Sequence, residues 1–458
     1  MQSVAAGYYQ AMTSEVRAEP QDAAGRDKLK RRITGPLLFL FILGDVLGAG
    51  IYALIGVLAD QVGGALWAPL LAALLLALLT AGSYAELVTK YPRAGGAAVF
   101  AERAFGRPLL SFLVGFCMLA AGITSAAGLS LAFSGDYLAT FVDVPAVPAA
   151  IVFLGLIALL NARGISESMK SNVVMTVIEL SGLLLVIIAG AVAVGADRGD
   201  LGRIVEFPAD SAPALAILGG AIIAYYSFVG FETSANVVEE IRDPSKVYPK
   251  ALFGALICAG LVYVLVGIAS AAVLAPGDLA GSSGPLLDVV SAAGIGVPEW
   301  VFSAIALIAV ANGALLTMIM SSRLTFGMAE QGLLPGVFAR VLPRRRTPWV
   351  AIAATTVAAM LLTLIGDLAT LAETVVLLLL VVFISTNVAV LALRRDTVAH
   401  PHFRVWTAVP VLGVGSCLLL LTQQTAKVWL FAAILLAVGA ALFAGARAAS
   451  RRPARGDH

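Results

Sequence analysis

The stretch "GDVLGAGIY" (44–52) puts Gly44, Gly48 and Gly50 and a carboxylate, Asp45, inside a long apolar run. Each glycine weakens a helix interior by roughly 1 kcal/mol relative to Ala. A central Asp costs about 2.5–3.5 kcal/mol on membrane-insertion scales. A second irregular stretch, "YYSFVGFE" (225–232), interrupts another apolar run and carries Glu232. A third carboxylate, Glu179, lies in "NVVMTVIELSGLL" (172–184). Where a helix unwinds, backbone N–H and C=O groups lose their partners. Hydrocarbon tolerates that only around a cavity or inside protein. The half-helix that restarts after the first break offers N–H groups and a positive dipole end, which suits a carboxylate. Carbonyls freed at the second break suit an ammonium group. The two together fit the zwitterionic head of an α-amino acid.

The elements that must position these residues are membrane helices. The chain has 458 residues, 60% hydrophobic and 13% charged, with mean hydropathy +0.95. A soluble domain carries about 25% charged residues. A spanning helix needs about 20 mostly apolar residues. Twelve segments qualify: 35–60, 66–89, 108–135, 146–161, 169–196, 212–235, 248–275, 298–329, 348–366, 370–393, 404–422 and 427–447. With the N-terminus inside, all Lys and Arg except Arg198, Arg203 and Lys427 fall on the cytoplasmic side, as the positive-inside rule expects. Both termini are therefore expected in the cytoplasm. Residues 1–32 read as a disordered cytoplasmic tail without a signal peptide, and 448–458 as a second short tail.

The first break enters from inside and the second from outside. If 33–196 is one five-helix repeat and 212–393 its inverted copy, the two broken helices lead the two halves, with 404–447 as two extra helices. That arrangement points to a midplane binding site in a secondary transporter. The fold class expected is thus an all-α polytopic membrane protein. Taken alone, Gly44-x-x-x-Gly48 also reads as a helix-packing pair.

Four blocks resemble the amino acid–polyamine–organocation permeases, nearest to bacterial relatives of cationic amino acid transporters. They are "GDVLGAGIYALIG" (44–56), "SYAELVTKYPRAGGAAVFAERAFG" (83–106), "YYSFVGFETSANVVEEIRDPSKVYPKAL" (225–252) and "SSRLTFGMAEQGLLP" (321–335). The resemblance implies the leucine-transporter-type fold, a 5+5 inverted repeat plus two helices. It also implies alternating access driven by protons or by exchange. By position, Gly48, Ala49, Gly50 and Ile51 match the carboxylate-binding turn. Tyr226, Ser227, Phe228 and Val229 match the turn that receives the amino group, with Tyr226 where the family often has an aromatic gate. Glu232 matches an acidic position that either bridges helices near the inner gate or contacts substrate.

Asp45 and Glu179 depart from that pattern. Asn172, Thr176, Glu179 and Gly182 share one helical face, which should point into the bundle. Desolvation penalises the charged form of a carboxylate there, so Glu179, with Asp45, can load and release a proton. A sodium site, a counter-charge for a cationic substrate and a structural hydrogen bond are the other roles that fit. Gly122 and Ser125 suit a wall for the substrate side chain. Asn312 and Thr317 suit a wall reaching ion or substrate, or close helix packing. Glu86 with Lys90 and Arg93 reads as a cytoplasmic gating network. His400, His402, Arg344–Arg346, Arg451 and Arg452 read as topology determinants or lipid headgroup contacts.

The leading function is a secondary active amino acid permease of the plasma membrane, proton-coupled, monomeric or weakly oligomeric. A polyamine or organic-amine carrier is a close variant, and a transport-dead nutrient sensor is a reading from another class. Cys117, Cys258 and Cys417 share no motif, and no P-loop or HExxH occurs. No cofactor, metal, nucleic acid or enzymatic activity is expected.

Overall fold

The computed structural model describes residues 33–48, 50–92, 96–163, 169–209, 211–342 and 347–450. Residues 1–32 of the first expected tail, residues 451–458 of the second, Ala49, Arg93 and Arg344–Arg346 lie outside the described residues. Residues 448–450, expected to begin the second tail, instead continue the last helix. Among the described residues all regular structure is helical apart from one β-bridge, Ile33 with Ile241.

The first apolar run forms two helices, α1 (Gly35–Leu47) and α2 (Gly50–Val62), bent by 41° at the break. There follow α3 (Trp67–Lys90), a shorter α4 (Gly96–Phe105), α5 (Pro108–Phe133), α6 (Ala146–Ala162) and α7 (Met169–Gly195). The second half has α8 (Pro213–Tyr226), a 3₁₀ stretch over Phe231–Glu240, α9 (Pro244–Val273) and α10 (Glu299–Glu330). Then come α11 (Trp349–Ile365), α12 (Leu368–Leu393), α13 (Ala408–Thr422) and α14 (Ala426–Ser450). Eight segments among the described residues are single helices or runs long and apolar enough to span a membrane. The bent α1–α2 pair makes a ninth, and α6, α11 and α13 are apolar but shorter. The 274–298 connection contains two short helices, Pro276–Gly281 and Pro285–Ala293.

Burial follows position in the bundle. The apolar window of α3 is 67% buried, that of α14 only 22%. Leu430, Ile434 and Val438 lie exposed on α14, as do Val152, Leu156 and Leu159 on α6. Apolar faces of this extent are stable against lipid, not water. Inside, α5 packs against α10 and α12, while α9 packs against α1, α3 and α7. Helix α1 is held between α7 and α9, so the break is in the interior.

Candidate functional site

Helix α1 ends at Gly48, whose ψ of −171° takes the chain out of the helix. Helix α8 ends at Tyr226. A turn follows, closed by Phe228 N–H to Tyr225 O (3.0 Å) and Val229 N–H to Tyr226 O (3.1 Å). Gly230 then adopts φ +128°, a region that disfavours side chains. A Cβ there would come within 2.7 Å of the Asp45 carbonyl oxygen. At Gly50 a Cβ would come within 2.8 Å of Ser227 Cα. The two breaks therefore touch, and glycine at both positions is what lets them.

They are also tied by a tyrosine that the sequence did not single out. The Tyr263 hydroxyl, from α9, donates to Val46 O (2.5 Å) and has Ser227 O at 3.1 Å. One side chain thus serves carbonyls from both breaks. Such a buried carbonyl costs about 1–3 kcal/mol when left alone. At the far ends, Ile33 N–H donates to Glu240 O (3.0 Å) and Arg242 N–H to Ile33 O (3.1 Å).

A cavity of about 460 Å³ lies against the breaks. Gly48, Gly50, Tyr226, Ser227 and Val229 line it, with Asp45 and Glu232. Gly122, Ser125 and Thr317 line it from α5 and α10. The Ser125 and Tyr226 hydroxyls are 2.8 Å apart, so the aromatic ring is latched to the opposite wall. Thr233 Oγ1 donates to Asp45 Oδ2, and Gly230 N–H donates to Glu232 Oε2 (2.9 Å).

Several expected site residues lie elsewhere. Ile51 is buried beside the cavity without lining it. Phe228 turns away and meets Tyr263 edge-on, ring centroids 5.3 Å apart. Asn312, expected as a wall, points to the other side of α10, where its Nδ2 donates to Glu179 Oε1 (2.9 Å). Glu179 is fully buried and also lies off the cavity. Its Oε2 has no hydrogen-bond partner among the described residues. Asn172, Thr176 and Glu179 are all buried, so this face of α7 does point inward. Gly44 provides the close approach, since a Cβ there would strike the Thr176 hydroxyl.

The cavity lining reaches Asn236 and Arg323, which are exposed. Off the lining, Tyr52 and Tyr137 are fully buried. Tyr137 donates to Tyr52 O (2.9 Å), and Tyr52 donates to Glu179 O (2.6 Å).

Two helix breaks that line one cavity suit a small polar solute. Residues 35–446 match the amino acid permease family model. The chain belongs to the amino acid permease family. It is similar to the branched-chain amino acid permease of Bacillus subtilis, 27% identical over 87% of this chain and 89% of that protein. It is similar also to the methylthioribose transporter of B. subtilis, 28% identical over 94% and 97% of the two chains. A vacuolar cationic amino acid transporter of Arabidopsis thaliana is 27% identical over 84% of this chain and 67% of its own length. Membership makes this permease a membrane transporter of small molecules, not an enzyme.

Away from the cavity, Glu86 pairs with Arg394 rather than with Lys90. Arg394 Nε donates to Oε1 (3.2 Å) and Nη2 to Oε2 (3.1 Å). Val405 N–H adds a third bond (3.0 Å). Lys90 Nζ instead donates to Leu393 O (2.6 Å). His400, read as a topology determinant or lipid headgroup contact, has its ring nitrogen 3.1 Å from Thr89 O. The Tyr91 hydroxyl donates to Asp396 (2.6 Å). That bond, with Arg103 nearby and against a smaller effect of burial, holds the Asp396 carboxyl below the usual carboxylate range.

Proposed function

We propose that this permease carries amino acids across the plasma membrane by alternating access, driven by a proton gradient. The observation that carries the reading is one cavity lined by both helix breaks. The N-terminus of α2 would hold the substrate carboxylate, and the carbonyls of the Tyr226–Val229 turn its ammonium group. On this reading twelve spans form an inverted 5+5 repeat plus two helices, with both termini cytoplasmic. The exposed Asn236 and Arg323 then mark the inner mouth, and the Tyr52–Tyr137 pair the closed outer gate.

Glu179 is the proposed coupling carboxylate. It lies behind α1, bonded to Asn312 through one oxygen, with Tyr52 of the outer gate on its own backbone carbonyl. A proton taken up there reaches the gate without crossing the substrate cavity. The test is reconstitution into liposomes with labelled amino acids, in sodium-free buffer, with and without an inward proton gradient. Uptake that rises with the gradient is expected. Uptake of no amine-bearing solute would sink the reading, and uptake indifferent to the gradient would remove the coupling.

A further inference from the structure

The two breaks touch at the cavity, where Gly50 lies against Ser227 and Gly230 against the Asp45 carbonyl. A third tie comes from a residue that never reaches the cavity. Tyr263 of α9 is fully buried and off the lining. Its ring meets Phe228 edge-on, centroids 5.3 Å apart, which fixes where the hydroxyl points. That hydroxyl has Val46 O at 2.5 Å and Ser227 O at 3.1 Å. Val46 lies in the last turn of α1, whose final carbonyls have no partner within their own helix. Ser227 is the residue on which α8 ends.

A phenol offers one proton on a rigid arm. It serves both carbonyls only while they stay within reach of one oxygen. Tyr263 therefore gauges the distance between the breaks. Helix α9 holds a second fully buried tyrosine, Tyr248, with a different task. The Tyr248 hydroxyl is 2.8 Å from that of Ser234 in the 3₁₀ stretch, so it ties α9 to the second broken helix alone.

On the amino acid reading above, the substrate carboxylate is held at one break and its ammonium at the other. Both groups are attached to the same carbon, so the two half-sites must keep one spacing. A site already held at that spacing loses less binding energy to ordering when substrate arrives. We infer that Tyr263 is a positioning residue for transport. Its hydroxyl sets the spacing of the two breaks, and through them the affinity for the head that all amino acids share. The inference rests on that reading.

The test measures uptake of labelled leucine, lysine and alanine by reconstituted wild type, Tyr263→Phe and Tyr248→Phe. A fourth protein carries 4-aminophenylalanine at position 263. Tyr263→Phe keeps the ring against Phe228 and removes the hydroxyl. It is expected to raise KM about tenfold or more, by the same factor for every amino acid that wild type carries. Tyr248→Phe removes a buried hydroxyl from the same helix and is expected to change KM less than about threefold. The aniline group has two N–H donors, one for each carbonyl, and is expected to bring KM back to within about threefold of wild type.

A loss that differs from one side chain to another would overturn the inference, because the hydroxyl would then act on the side-chain wall. An equal rise in Tyr248→Phe would overturn it as a general loosening of α9. So would an aminophenylalanine protein no better than Tyr263→Phe. If Tyr263→Phe does not fold, the aminophenylalanine protein decides alone. Wild-type KM there supports the spacing role, and a raised KM or a second failure to fold overturns it. Uptake of no amino acid by wild type overturns the amino acid reading and this inference with it, whereas the other failures leave that reading standing.

Discussion

The C-terminal end of α3 and the middle of α7 each bury a glutamate, and the protein treats the two in opposite ways. Glu86 is enclosed by the Arg394 fork and the Val405 N–H, which together bind both carboxylate oxygens. Glu179 has one oxygen on Asn312 and no partner on the other among the described residues. Desolvating a carboxylate costs several kcal/mol, and only paired charge and hydrogen bonds repay it. The Glu86 pair is repaid in place, and it joins α3, α12 and the segment leading to α13. Glu179 is not compensated in this way. On the proposed function, Glu86 is a clasp that stays closed and Glu179 the group that changes state.

The largest expected effect is at the clasp. Glu86→Ala leaves the partly buried Arg394 guanidinium with only Thr407 and Val405 O as partners and is expected to cost about 3 kcal/mol. Denaturation of the purified protein in detergent measures it. Replacing both partners, Glu86→Met with Arg394→Met, should recover most of that loss, because paired apolar groups need no counter-charge. A double variant as unstable as the single one would break the comparison.

Asn312→Ala comes next. It removes the donor to Glu179 and is expected to destabilise by about 1–3 kcal/mol. Smaller still in stability is Glu179→Gln, which keeps an acceptor for Asn312 and should shift unfolding by less than about 1 kcal/mol. Its transport effect should be large by contrast: proton-driven uptake falls to the level of gradient-free exchange. Uptake that still follows the proton gradient would leave Glu179 as a structural residue like Glu86.

The smallest effect concerns an exposed pair. Asp367 caps α12 by accepting from Thr370 N–H (2.8 Å) and bonds Lys427 Nζ (2.7 Å). Burial acts to raise its pKa, but the bonds from Lys427 and Thr370 outweigh it and bring it to about 2. The folded value is below the unfolded one of about 3.9, so the contribution is present above pH ~5 and lost as pH falls through 2. Solvent screening limits it to less than about 1 kcal/mol. Asp367→Asn should lower the melting temperature slightly at pH 7 and leave it unchanged at pH 2.

Much of the fold could be read along the chain. The breaks at Gly48 and after Tyr226 were legible from glycine, aspartate and aromatic residues interrupting apolar runs. The Tyr226, Ser125 and Gly122 positions on the cavity were legible from the family blocks and from small residues in α5. Asn312 was placed on the wrong face, because a 32-residue helix with small polar residues all round does not declare which side meets α7. Tyr263 gave no local signal at all, being one of three aromatic residues in an apolar helix.

The sequence by itself determined that this is a helical membrane protein and where its first helix must break. In lipid each helix satisfies its own backbone, so spans and interruptions are local properties. Only the tertiary structure decided what each polar side chain does there. The bond from Tyr263 to Val46 joins positions 217 residues apart, and that from Asn312 to Glu179 joins positions 133 apart. Such contacts depend on how distant helices rotate against one another. That rotation, not residue type, puts Asp45 on the cavity and Glu179 behind it.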